Sequence, residues 1–176
     1  MKDTFDTIYE AQSDAIFRFC LLRVSDREQA LDITQETFMR LWKTLQNGKT
    51  IDNGRAFLFT VANRLVIDWY RKKKSLSLDS FTNEETGEPF EVADESTAHM
   101  GLEFGSECRF LLDKIKVLHP SYKQAVYLRF VEGLSPPEIG QALGLSANAA
   151  SVRINRGIKE LRKLTGYDIE EEKDHE

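Results

Sequence analysis

The sequence has few of the residues from which covalent or metal-held structure is built. Two cysteines, Cys20 and Cys108, and three histidines occur in 176 residues, none at the short spacing of a metal site. No metal is therefore expected, and the thiols read as small buried hydrophobes of a reducing compartment. No apolar run approaches the roughly 20 residues that cross a bilayer, and no signal-peptide pattern follows Met1. The expectation is a soluble, cytoplasmic chain with no membrane segment of its own. A glycine-rich phosphate loop is missing, nucleophile and base are nowhere paired, and the carboxylates are scattered, so neither an enzyme nor a cofactor is expected. A net charge of −5 at first argues against a nucleic-acid binder.

That charge is not evenly spread. Residues 1–54 hold 7 basic and 9 acidic side chains, 55–75 hold 6 and 1, and 76–107 hold none and 9. Residues 108–166 hold 10 basic and 4 acidic, and 167–176 hold 1 and 6. Two basic segments are thus separated by an acidic one and followed by an acidic tail, a pattern that says more about partners than the total does. Residues 76–107 are rich in Ser, Thr, Asp, Glu, Gly and Pro, with only isolated apolar positions, and read as a linker. The expected organisation is all-α: two small helical domains, 1–75 and 108–166, joined by the acidic flexible linker 76–107 and followed by the tail 167–176.

Residues 134–164 organise the second half. Ser135 before Pro136, Pro137 and Glu138 is a helix start, with a Ser cap and a Glu placed to bond back to it. Ile139, Ala142 and Leu143 share one buried face, Gly144 can end the helix in the left-handed conformation, and Ser146 can cap the next one. That next helix has Ala150, Ile154, Ile158 and Leu161 inside, and its other side carries Asn148, Ser151, Arg153, Asn155, Arg156 and Lys159. Two helices joined at a glycine, the second basic on its free side, read as a helix-turn-helix. An ordinary helical hairpin with a solvated face has the same pattern. The preceding helix, over 121–132, is expected to turn Ala125, Val126, Leu128 and Phe130 inward.

The first half reads as three helices. Residues 5–22 repeat apolar positions at helical spacing and form a scaffold helix. A capping box from Ser25 to Glu28 opens a second, with Ala30, Ile33, Thr34, Thr37, Phe38, Leu41 and Leu45 inside. Asp32, Gln35, Glu36, Met39 and Lys43 share its opposite face, with Trp42 on the edge. Amides, a Met and an aromatic margin suit a protein interface as well as they suit a solvated surface. The third helix, 55–74, is apolar nearly all round and so is buried on several sides or meets a partner. On its polar stripe Thr60, Arg64 and Arg71 line up, Asp68 can pair with Arg64, and Asn63 and Tyr70 flank them. Cations beside rings suit single-stranded nucleic acid; aromatics in a core and a basic helix end give the same pattern.

Three blocks carry a family resemblance: ALDITQETFMRLW (30–42), RAFLFTVANRLVIDWYRKKK (55–74) and LHPSYKQAVYLRFVEGLSPPEIGQALGLSANAASVRINRGIKELRKL (118–164). Together they cover over 40% of the chain, in order, and resemble a bacterial RNA polymerase sigma factor of the small two-domain, extracytoplasmic-function (ECF, group IV) type. The resemblance implies that Asp32, Gln35, Glu36, Met39 and Trp42 bind core RNA polymerase at the clamp helices of its large subunit. It implies that Arg55, Thr60, Asn63, Arg64, Tyr70, Arg71 and Lys72 open promoter DNA and read the minus-ten element. Ala147, Asn148, Ser151, Val152, Arg153, Asn155, Arg156 and Lys159 would then read the minus-thirty-five element. The implied partners are core polymerase, promoter DNA and an anti-sigma factor.

The chain departs from the family pattern in three places. Ala62-Asn63-Arg64 stands where Ala-Arg-Asn is common, which rotates the Asn by about 100° around the helix. Ala149, Ser151 and Val152 replace Thr, Lys and Ser in the reading helix, and Pro136-Pro137 replaces an aromatic-acidic pair. A stand-alone helix-turn-helix regulator with a helical protein-binding domain is the alternative. Such a regulator needs no aromatic-basic middle helix.

Overall fold

The computed structural model, which describes residues 2–76 and 106–166, has seven helices and no strand among those residues. They are α1 (Lys2–Val24), α2 (Arg27–Gln46), α3 (Gly54–Leu76), α4 (Ser106–Lys116), α5 (Pro120–Phe130), α6 (Pro136–Leu143) and α7 (Ala147–Thr165). The all-α expectation holds. The tail, and nearly all of the expected linker, lie outside the described residues.

Helices α1, α2 and α3 pack as one group. Ile16, Phe19 and Cys20 of α1 meet Leu41 of α2 and Leu58, Phe59, Ala62 and Val66 of α3 in its interior, all at most 2% exposed. Each large aliphatic or aromatic side chain buried there contributes about 1.5–3 kcal/mol. Phe19 and Phe59 meet edge to face at 5.4 Å, a geometry that adds to their area burial. Burial pushes the Cys20 thiol up to about 12, so it stays protonated, as the reading of a small hydrophobe requires.

The start of α2 differs from expectation by one residue. Ser25 takes φ +56° and its N–H donates to the Leu21 carbonyl (2.9 Å), so it closes α1. An N-cap needs an extended backbone, which Asp26 has, and the Asp26 carboxylate accepts from the Gln29 N–H at 3.1 Å. The residue that ends one helix cannot also cap the next.

Helices α5, α6 and α7 form the second group, with α4 against α5 and α7. Glu138 accepts from both the Ser135 N–H (2.7 Å) and its hydroxyl (2.6 Å), which fixes the start of α6 as expected. Gly144 takes φ +69° and ends it, and Ser146 caps α7 by accepting from the Ala149 N–H (3.1 Å). At the α5–α7 crossing there is no room beside Gly157. A Cβ there would lie 2.4 Å from Val126 Cγ2 and 3.1 Å from Tyr122 Cβ.

Phe130 was expected inside, but it is 58% exposed. Helix α5 is covered on several sides over residues 123–128, including Lys123 and Gln124, and Phe130 projects past the covered stretch. The covering is completed by the other group. Helix α6 lies along α3, and the apolar interiors of both groups join into one continuous core.

Candidate polymerase and nucleic-acid interfaces

Helix α2 buries Ala30, Ile33, Thr37, Phe38 and Leu41, which turns its polar residues outward. Asp32 and Gln35 are exposed, Met39 is 49% exposed, and Glu36 holds Arg40 through a 2.9 Å ion pair. Trp42 is half-buried and packs edge-on to Phe5 at 5.1 Å, so it borders this face and also anchors α1. Beside the face, an open cleft of about 440 Å³ runs between α2 and α3. Its walls include Asp32, Glu36 and Arg40 on one side and Leu65, Trp69, Arg71 and Lys72 on the other. Two residue sets read separately in the sequence therefore share one concave surface with acidic, basic and aromatic walls.

Along α3 the expected stripe divides. Arg64, Arg71 and Lys72 are exposed. Asp68 pairs with Arg71 (3.7 Å) and not with Arg64, because the acid-first order suits the helix dipole. Lys73 Nζ lies 5.0 Å from the centre of the Trp69 ring, and Trp69 meets Tyr70 edge-on at 4.8 Å, so cations and rings do interleave here. Thr60 is half-buried and donates to the Ala56 carbonyl of its own helix (2.7 Å).

The other stripe residues face inward. Asn63 is 4% exposed; its side-chain oxygen accepts from Arg23 Nη1 (2.9 Å) and its amide donates to the Ala142 carbonyl of α6 (3.1 Å). Tyr70 is half-buried and its hydroxyl donates to the Arg23 carbonyl. Arg55, at the head of α3, is half-buried and points its guanidinium toward Gly133, at the α5–α6 turn. In this arrangement Asn63 and Tyr70 are held by the protein itself, which corrects their expected place on the open flank of the stripe.

Helix α7 turns most of the expected residues outward. Ala147, Asn148, Asn155, Arg156 and Lys159 are exposed and Val152 is 40% exposed, while Arg153 and Ser151 are half-buried. The Ser151 hydroxyl donates to the Ala147 carbonyl (3.0 Å), which leaves its oxygen lone pairs as the group offered outward. The outer face thus combines amides, a methyl-bearing side chain and cations, the set that reads A·T edges and phosphates in a major groove.

Several residues passed over in the sequence join the two helix groups. Arg23 is 1% exposed and, with the Gln124 amide oxygen turned toward it, also donates to Gln124 (2.8 and 3.1 Å). Arg18 pairs with Glu132 at 3.2 Å, and Tyr127 donates to the same carboxylate at 2.7 Å. Burial works against the Arg18 charge, but Glu132 outweighs it and raises the Arg18 pKa. Burial, reinforced by Glu132, pushes the Tyr127 hydroxyl well above its ordinary range. Asn53 donates to Glu138 at 2.9 Å. The hydrogen bonds from Ser135 first, and that from Asn53 second, hold the Glu138 carboxyl below its ordinary value. No periodicity announces these contacts between the groups, since their partners are 85 to 114 residues apart. A charged Arg23 inside the apolar run FCLLRV was the one sequence signal.

An acid-amide helix face, a basic aromatic helix and two short helices joined at a glycine thus follow one another on one all-α chain. Residues 8–76 match the family described as Sigma-70 region 2, and residues 111–161 match Sigma-70, region 4. The chain belongs to the ECF family of RNA polymerase sigma factors. It is 31% identical over 175 residues to the ECF sigma factor BldN of Streptomyces coelicolor, covering 94% of this chain and 62% of BldN. It is 29% identical to CarQ of Myxococcus xanthus, covering 94% and 91% of the two chains. The chain thus spans about three fifths of the length of BldN and most of that of CarQ. Among solved structures, the sigma factor RpoE in complex with the anti-sigma factor NepR from Bartonella quintana has the same fold. Its TM-score is 0.70 at 21% identity, over 96% of this chain and 99% of that one. CnrH in complex with the cytosolic domain of CnrY matches at a TM-score of 0.60, with 20% identity over 96% and 91% of the chains.

Proposed function

We propose that this chain binds core RNA polymerase, confers promoter recognition and assists DNA opening, with no catalysis of its own. The observation that carries the reading is the shared cleft between α2 and α3, where the outward acidic face of one helix meets the basic aromatic end of the other. Asp32, Gln35, Glu36 and Met39 form the surface for the clamp helices of the large subunit, bordered by Trp42. Arg64, Arg71 and Lys72 supply phosphate contacts next to Trp69, whose ring suits unstacked bases. Asn148, Val152, Asn155, Arg156 and Lys159 enter the major groove of the minus-thirty-five element, with Ala147, Ser151 and Arg153 beside them. Residues 1–75 and 108–166 act as the two functional domains, and the acidic stretch 76–107 connects them.

No helix among the described residues is long and apolar enough to cross a membrane, in keeping with work on DNA in the cytoplasm. An anti-sigma protein is the expected regulator, as the sigma factor RpoE of Bartonella quintana is bound to the anti-sigma factor NepR. Run-off transcription with purified core polymerase on a randomised promoter library tests the reading. Selected transcripts sharing an upstream and a downstream element are expected. A chain that leaves core polymerase as non-specific as before would defeat it.

A further inference from the structure

Helix α7 carries more positive charge on its outer face than the fold answers. Arg156, Lys159, Arg162 and Lys163 are exposed, and none forms an ion pair among the described residues. The one acid of the helix, Glu160, is used elsewhere, accepting from the His119 N–H at 2.9 Å. At about 100° per residue the four cations fall within about 120° of the helix circumference. Arg156, Lys159 and Lys163 follow at steps of three and four, about 5–6 Å apart between Cβ atoms, with Arg162 beside them. Such a row of like charges repels itself unless something negative lies along it.

Gly166 ends α7 with φ +72°, the left-handed turn that leads the chain out of the helix line. The residues that follow, 167–176, lie outside the described residues, but their sequence has a pattern. Asp168, Glu170, Glu172, Asp174 and Glu176 stand at every second position. In an extended chain alternate side chains point to one side, roughly 6.6 Å apart. Five carboxylates then line one edge at nearly the spacing of the α7 cations, while Lys173 faces the other way. Ten extended residues reach about 33 Å, and Lys163 to Arg156 covers only about 10 Å of helix.

We propose that the acidic segment 167–176 folds back along the outer face of α7 and occupies its cation row as a tethered polyanion, competing there with nucleic acid. The segment is joined directly to α7, steps its acids to match the row, and holds five more acidic than basic residues. Its short tether keeps those acids at an effective concentration in the millimolar range. The docking rests on charge and spacing alone; its consequence for promoters rests on the reading of α7 as the upstream-element helix. Non-specific DNA binding comes from phosphate contacts, so covering Arg156 and Lys159 weakens that part of the binding. Asn148 and Val152, at the far end of the helix, stay open for base edges.

A spin label at Lys173→Cys, in a full chain carrying Cys108→Ser, tests the docking by broadening nearby amide resonances; buried Cys20 is shielded from labelling. The reference is the same chain with Asp168→Asn, Glu170→Gln, Glu172→Gln, Asp174→Asn and Glu176→Gln. At low salt the amides of Arg156 to Lys163 should broaden more strongly than in that reference. The difference should fade near about 1 M salt, where the screening length is about 3 Å. Without the label, the five amide changes should tighten binding to a random-sequence duplex about tenfold at low salt, since several weak surface pairs are lost together. Neutralising five acids of 76–107 instead alters net charge equally and should not do so. Equal broadening in the reference chain, or broadening centred on Arg64 and Arg71 of α3, would overturn the docking. Duplex affinity unmoved by the tail amides, or raised as much by the 76–107 changes, would overturn the competition. If none of these chains binds duplex, the reading of α7 as a DNA reader fails, and the broadening still decides the docking.

Discussion

At the scale of single residues, position in the helix settles less than the neighbour that covers it. Asn63 and Arg64 are adjacent on α3, yet one is buried against α6 and the other lies in solvent. Helical spacing puts both near one polar stripe, and nothing local distinguishes them. The deciding contact comes from Ala142, 79 residues away. Gly157 is a second case. In an open helix Gly→Ala would stabilise by about 1 kcal/mol, but overpacking a close crossing costs about 1–3 kcal/mol. The stiff β-branched Val126 and the Tyr122 Cβ cannot move aside cheaply. Gly157→Ala is therefore expected to lower the thermal midpoint, with a net loss of up to about 2 kcal/mol. Combining it with Val126→Ala should recover part of that loss, and additive effects of the two changes would count against a steric origin.

At the scale of elements, most of the architecture was legible. Apolar residues three and four apart gave the helices named from the sequence, and the Ser135 box, Gly144 and Ser146 gave the bounds of α6 and the start of α7. The failures are ones of covering. Ser25 was read as a cap because Ser and Glu stood at capping-box spacing, and its role in ending α1 left the cap to Asp26. Phe130 was read as core because period alone cannot see where a buried stretch ends. The α6 start also carries a pH dependence. Glu138 is held below the ordinary 4.5, so the folded chain binds fewer protons there than the unfolded one. Its contribution is present above that value and is lost as pH falls through the depressed one. Urea unfolding of wild type and Glu138→Gln should differ near neutral pH and converge in acid, below the depressed value. A constant difference would mean that the carboxylate charge is not what the cap uses.

Helix α7 makes the element-scale prediction about DNA. In the proposed reading, Asn148 and Val152 would offer an amide to adenine and methyls to thymine, while Arg156 and Lys159 lie further along among exposed positions. Asn148→Ala should relax preference at one or two adjacent upstream positions, by about 1–3 kcal/mol per contact, in selections made with holoenzyme. Arg156→Ala should weaken all sequences alike if it holds phosphate, and should also reduce the salt dependence of binding. A selected upstream element rich in G·C throughout, or one indifferent to Asn148→Ala, would show that another face enters the groove.

At the scale of the whole molecule, charge and packing act in opposite directions. Net charge alone hides the two basic segments, because 15 of the 29 acidic residues fall in segments 76–107 and 167–176, apart from them. The continuous core through α3 and α6 has a calorimetric consequence. Two helix groups that share an interior and a buried polar network should melt as a single cooperative unit, with van't Hoff and calorimetric enthalpies equal. Arg18→Glu should divide that one endotherm into two smaller ones, each the melting of a group that has lost its neighbour. The ratio of the two enthalpies, measured across a series of such variants, would then read the strength of the joint as a degree of thermal coupling.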